Sequence, residues 1–229
     1  MVVDSFGKEI GRKLIHVLAL GWVAVYFFFV VQVSERAGLL VLAGMLAVLI
    51  ILEYVRLQLK VEIPLLRHLY NFRRGREADS PGAELFFLLG VLVSLAVFDT
   101  EIAVAAILMA VFGDLTAALV GMRWGRWKPS VFGGKKSVEG SLAALGVNLG
   151  VGYLFLRAAD HGTLWWQAAI SGRAGIESAF GHTLWPLVLV MAVSASAVEL
   201  AISKIDDNLT IPVIAGLAGQ LTLIVLGLK

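Results

Sequence analysis

Apolar residues run along this chain in seven long blocks, at about 14–33, 37–55, 83–98, 102–121, 140–157, 185–203 and 209–227, separated by segments rich in Gly, Ser and charge. Each block is close to the roughly 20 residues that a helix needs to cross a bilayer's hydrocarbon core. The pattern predicts an all-α fold, a polytopic bundle of about seven transmembrane helices forming one domain over 1–229. The first two blocks are parted only by the polar turn Ser34-Glu35-Arg36, a connection short enough to make them antiparallel neighbours.

Composition agrees with the pattern. The chain has 229 residues, of which 59% are hydrophobic and only 16% charged, with a mean hydropathy of +0.87. Soluble domains carry about 25% charged residues, so this chain reads as an integral membrane protein. The first block is long enough to span and lacks a small-residue cleavage site, so it is expected to remain as a helix. The absence of cysteine excludes disulfides, thiolate metal sites and cysteine nucleophiles.

The net charge of +2 carries little information, but its distribution does. With the N-terminus in the cytoplasm, fifteen of the 19 Lys and Arg fall on inner segments, leaving Arg36, Arg157, Arg173 and Lys229 outside. The positive-inside rule therefore gives N-inside, C-outside. Trp124 and Trp127 fall at the inner boundary and Trp165, Trp166 and Trp185 at the outer one, as interfacial anchors do. Within the outer loop Arg157–Thr183, the segment Leu164–Ile170 is too short to span and is expected to lie in the interface.

The same topology brings the chemistry to one leaflet. Arg12, His16, Glu53, Arg56, Glu84, Asp114, Lys135, Lys136, Glu139, Glu199, Asp206 and Asp207 all fall at inner helix ends or inner loops. A single carboxylate there can be a snorkelling or capping group, but so many at one face point to a shared polar site. Arg12 and His16 are one helical turn apart, where they could bind phosphate and accept a proton. Glu53 and Arg56, at i and i+3, could serve the site or only neutralise each other.

The stretch Gly113–Ser141 is the most concentrated of these features. Asp114 sits inside an apolar block, and Asp114, Ala118, Gly121 and Gly125 share one helical face. Small stripes let a helix or a ligand approach the backbone closely. The following loop, Phe132-Gly133-Gly134-Lys135-Lys136-Ser137, offers two ammonium groups just before Glu139-Gly140-Ser141 opens the fifth block. Amides at a helix N-terminus favour an anion, although the spacing is not that of a Walker A loop. The last inner loop carries Asp206, Asp207 and Asn208, hard oxygen donors suited to Mg²⁺, with Asn208 also a candidate helix cap.

Taken in order, these residues resemble the CTP-dependent lipid-alcohol kinases, the group of dolichol kinase, phytol kinase and CTP-using diacylglycerol kinase, with a wider similarity to phosphatidate cytidylyltransferase. The resemblance is carried by RKxxH at Arg12, Lys13 and His16, and by ExxR at Glu53 and Arg56. Gly113, Asp114, Ala117, Gly121 and Gly125 continue it, followed by KKSxEGS at Lys135 to Ser141. Glu199 and then Asp206, Asp207, Asn208 and Pro212 complete it. The chain is shorter than eukaryotic dolichol kinases and lacks the HGGxxDRxD signature of the cytidylyltransferases.

The resemblance implies transfer of the γ-phosphate of CTP, or another nucleoside triphosphate, to the hydroxyl of an isoprenoid alcohol at the cytoplasmic face. Asp114, Asp206, Asp207, Asn208 and Glu199 are the expected Mg²⁺ set. Arg12, Gly121, Gly125, Lys135, Lys136, Ser137, Glu139, Gly140 and Ser141 are the expected nucleotide set, and His16, Glu53 and Asp114 the candidate bases. Diacylglycerol phosphorylation and CDP-lipid synthesis are the alternatives, the latter calling on Arg73, Arg74 and Arg76. An ion-coupled transporter is a remote one, disfavoured by the one-sided charges and the lack of a repeat. No nucleic-acid partner is expected, and the Gly146-Gly150 pair could pack helices within one chain or between two copies.

Overall fold

The computed structural model describes residues 17, 20–59, 80–129, 136–167, 184–202 and 206–227. Arg12, His16, Lys135 and the Arg73, Arg74 and Arg76 group lie outside the described residues. Within the described residues the fold is all helical. The helices are α1 Gly21–Gln32, α2 Glu35–Leu59, α3 Ala83–Val97, α4 Thr100–Trp124, α5 Val138–Asp160, α6 Leu184–Ala201 and α7 Asp207–Val225.

Five of them, α2, α4, α5, α6 and α7, are long and apolar enough to cross a membrane. The other two are shorter. The described part of α1 has 12 residues, and α3 has 15, starting after Pro81-Gly82 and stopping at the extended Phe98-Asp99 corner. That corner is fixed from across the bundle, because the Gln220 side chain of α7 accepts from the Asp99 amide at 2.9 Å and donates to Asp99 Oδ2 at 3.1 Å.

Helix α4 is the centre of the bundle. Ile102, Ala103, Ala105, Ala106, Ile107 and Met109 along it have no solvent-exposed surface. It packs on α5, α7, α3 and α6, while α7 also lies along α6 and α3, and α1 pairs with α2. Lipid tails are as apolar as leucine, so these contacts depend on close packing and polar pairs rather than on hydrophobicity. The α4–α5 crossing illustrates the first. A Cβ at Gly140 would sit 2.6 Å from the Ala117 carbonyl oxygen and 3.3 Å from Gly121 Cα, so the helices meet backbone to backbone.

Another close approach joins α3 to α7. Pro212 has no N–H, which leaves the Asn208 carbonyl without its helical donor. That carbonyl faces Gly90, where a Cβ would come within 2.6 Å of it.

The aromatic residues mark the two ends. Trp124 and Trp127 are exposed where α4 ends, and Arg123 stacks over the Trp124 ring at 5.4 Å. At the opposite end Trp166 stacks on Phe27 of α1 with ring centroids 4.0 Å apart, and Tyr153 stacks on Trp185 at 4.6 Å.

Candidate active site

The helices alternate in direction, so the last turns of α2, α4 and α6 share an end of the bundle with the first turns of α3, α5 and α7. Capping fixes those starts. Ser137 caps α5, its hydroxyl accepting from the Gly140 amide at 3.2 Å. Asp206 caps α7, its carboxylate accepting from the Asn208 amide at 2.9 Å and the Asn208 side-chain amide at 2.7 Å. Both place oxygen on unsatisfied amides, as cap residues do.

Between these ends lies a polar network. The Lys136 ammonium donates to Asp207 Oδ2 at 2.7 Å, to the Ile202 carbonyl at 3.3 Å and to the Glu199 carbonyl. Glu199 Oε1 lies 3.7 Å from the same ammonium. Glu199 Oε2 accepts the Ser141 hydroxyl at 2.6 Å, although Glu199 is only 6% exposed. Asp114 and Glu199 are both close enough to Asp207 to interact with its charge. Asp114, Lys136, Ser141, Glu199 and Asp207 thus come together from α4, the start of α5, α6 and α7.

The pieces have different duties. A cation at the end of α6 meets its last carbonyls, and Asp206 and Asp207 sit at the positive end of α7, both complementary to the helix dipoles. Glu139 holds the chain leaving α4, accepting the Arg126 and Trp127 amides at 3.1 Å each on Oε1. The Val138 amide donates to the Trp127 carbonyl at 2.9 Å, so this stretch is pinned to the first turn of α5 from both sides. Gly121, Gly125 and Gly140 close the α4–α5 contact, with Ser137 Oγ 2.9 Å from where a Gly121 Cβ would stand.

Among the described residues, the partners of Glu53 lie outside this network. Its Oε2 accepts from Arg56 at 2.7 Å and from the Gly82 amide at 3.0 Å, while Arg56 also donates to the Ser80 carbonyl at 2.6 Å. The pair clamps the entrance to α3 onto the end of α2.

A metal ion has a narrower set of donors here than the sequence offers. Among the described residues no three of His, Cys, Asp and Glu converge on one metal-binding point. Mg²⁺ characteristically takes one or two carboxylates and completes its shell with water and substrate phosphate, so a full protein cage is not required. Asp207 Oδ1 fits that role, being buried with no hydrogen-bond partner among the described residues, and Asp114 of α4 is near enough for its charge to act on Asp207. Asp206 and Asn208 bond to each other in the cap, and Glu199 holds Ser141.

Sequence reading missed one buried polar pair. Asn148 Nδ2 donates to Ser196 Oγ at 3.1 Å, and Asn148 lies against Gly113, the residue before Asp114. Asn148 is seven residues after Ser141 and Ser196 three before Glu199, spacings that put each on the face of a residue already singled out.

Comparison with known proteins gives a consistent class. The chain is 28% identical over 158 residues to CTP-dependent diacylglycerol kinase 1 of Schizosaccharomyces pombe, covering 66% of this chain and 67% of that one. It is 26% identical over 222 residues to the protein of the same description from Saccharomyces cerevisiae, covering 91% of this chain and 71% of that one. A phytol kinase of Synechocystis is 32% identical over 129 residues, 56% of this chain and 43% of its own. No protein-family model matches the chain. No solved structure matches it either. The resemblance read from the sequence is thus to proteins that are themselves similar along most of this chain.

Proposed function

We propose that this chain is a CTP-dependent lipid kinase, embedded in the membrane, which transfers the γ-phosphate of CTP to the hydroxyl of a lipid alcohol. The observation that carries the reading is the similarity to a CTP-dependent diacylglycerol kinase along 91% of the chain. The polar network at one end of the bundle supports the reading, and the positive-inside pattern favours the cytoplasm for this end.

Asp114 and Asp207 would hold Mg²⁺, which when bound neutralises charge on the triphosphate. Phosphoryl transfer is catalysed mainly by positioning and charge compensation, so the chain's task is to hold the γ-phosphorus in line with the incoming oxygen. The alcohol oxygen forms a bond to the γ-phosphorus as the bond to the β–γ bridging oxygen breaks. CDP leaves with that electron pair. The hydroxyl proton passes to a base, with His16 and Asp114 as candidates, since Glu53 shares an oxygen between Arg56 and Gly82. Arg12 and Lys135 are the phosphate ligands of this reading, since the Val138, Gly140 and Ser141 amides at the start of α5 already donate to Trp127 and Ser137. The acceptor enters sideways between helices, its tail still in lipid.

Two acceptor classes follow from the relatives. An isoprenoid alcohol is the acceptor that the family resemblance implies, and the phytol kinase is 32% identical to this chain over 129 residues. Diacylglycerol is the second, because the two diacylglycerol kinases share more of their length with this chain.

The test uses the purified protein in lipid nanodiscs with Mg²⁺ and either α- or γ-labelled CTP. The acceptors are phytol, polyprenols, diacylglycerol and phosphatidate. Label from the γ position in one alcohol supports the kinase and names its substrate. Label from the α position in a phospholipid would replace it with a cytidylyltransferase.

A further inference from the structure

An ammonium group has three N–H donors and no acceptor. In Lys136 those three have three acceptors: Asp207 Oδ2, the Glu199 carbonyl and the Ile202 carbonyl, with Glu199 Oε1 next nearest at 3.7 Å. Two carboxylates and the negative end of α6 surround one cation, so its charge is already balanced inside the protein. To ligate a phosphate it would have to give up a contact that joins two helices. The neighbouring charges thus oppose the phosphate role that its place in the Gly/Lys loop suggested.

The contacts do something else. Asp207 has two carboxylate oxygens with different surroundings. Oδ2 is held by Lys136 at 2.7 Å, whereas Oδ1 is buried and has no hydrogen-bond partner among the described residues. Fixing one oxygen of a carboxylate fixes the direction of the other. Because the same ammonium grips the last carbonyls of α6, the direction is referred to the α6 end as well as to α5.

We propose that Lys136 is a positioning residue, which latches the start of α7 to the end of α6 and so aims Asp207 Oδ1 for metal binding. This rests on the kinase reading, in which Asp207 holds Mg²⁺. Lys136 then stands behind a metal ligand, a place where loss of a hydrogen-bonding partner typically weakens metal affinity about 10- to 100-fold.

The experiment compares full-length wild type with Lys136→Met, Lys136→Arg, Asp207→Asn and the Lys136→Met/Asp207→Asn double variant, all in nanodiscs. Bound Mn²⁺ is followed by electron paramagnetic resonance in excess CTP with no lipid acceptor. Initial rates are then measured against free Mg²⁺ and against CTP. For Lys136→Met, Mn²⁺ affinity and the Mg²⁺ half-saturation should weaken about tenfold or more, with KM for CTP moved less than about threefold. Lys136→Arg should recover part of the affinity, and the double variant should bind Mn²⁺ no more weakly than Asp207→Asn alone.

A rise in KM for CTP with unchanged Mn²⁺ affinity would overturn the proposal in favour of a phosphate contact. Unchanged metal affinity and rates in folded Lys136→Met would overturn it too, as would wild type that binds no Mn²⁺. Should Lys136→Met not fold, Lys136→Gln carries the same two expectations. Failure of the kinase reading is separable, because wild type would then label no lipid alcohol from γ-labelled CTP.

Discussion

Ser141 on α5 donates its hydroxyl to Glu199 Oε2 on α6 at 2.6 Å, a short bond to a carboxylate that is almost fully buried. The bond crosses 58 residues of sequence and joins two helices at the level where the polar network begins. Hydrogen bonds to charged groups contribute about 1.5–3 kcal/mol, and leaving a buried carboxylate short of a donor costs in the same range. Ser141→Ala should therefore lower the melting temperature in detergent and reduce turnover, whereas Ser141→Thr, which keeps the hydroxyl, should retain more of both. Equal melting temperatures for Ser141→Ala and wild type would mean that the bond contributes nothing to stability.

Asp114 carries the kinase reading at its most exposed point. Asp114→Asn keeps the shape of the side chain and removes its charge, so the protein should insert and elute as wild type on size exclusion while γ-phosphate transfer disappears. Wild-type turnover in the Asp114→Asn variant would remove Asp114 from the metal site.

Glu53 and Arg56 make a different kind of prediction, because the geometry has them clamping Ser80 and Gly82. Breaking a buried ion pair by removing one partner costs on the order of 3–5 kcal/mol, since the other charge is stranded. Glu53→Gln should destabilise the fold by an amount approaching this, and Glu53→Gln/Arg56→Gln by less than the single change. Turnover per folded molecule is the deciding measurement. If it recovers in the double variant, Glu53 is a clamp; if it stays abolished with stability regained, Glu53 is the base.

Gly140 tests the α4–α5 crossing. A Cβ there would stand 2.6 Å from the Ala117 carbonyl, which as backbone cannot swing aside. Gly140→Ala should cost about 1–3 kcal/mol by overpacking, and Gly140→Val more. Gly146→Ala is the control, because nothing lies within 4 Å of the Cβ position at Gly146. Comparable melting temperatures for the Gly140 and Gly146 variants would mean the crossing is looser than the geometry requires.

What the sequence determined by itself was the class, the helices and the end of the bundle where the acids gather. A bilayer imposes its demand on each helix separately, so blocks of about 20 apolar residues and the placement of Lys and Arg can be read one segment at a time. The seven helices of the described residues follow those blocks, and the acids expected at one leaflet share one end. The tertiary structure alone decided which polar atoms were already spent. Lys136 looked like a phosphate ligand from its loop, yet its donors go to residues 63 to 71 positions away. The small-residue stripe at Gly121 left open whether a helix or a ligand approaches it, and the packing sets Gly121 and Gly140 each against the other helix. Asn148 and Ser196 carried no charge to announce them in an apolar block, and only the packing of α5 on α6 brought them together. A hydrogen bond is a relation between two places in space, and helix packing brings together partners that the local sequence pattern cannot name.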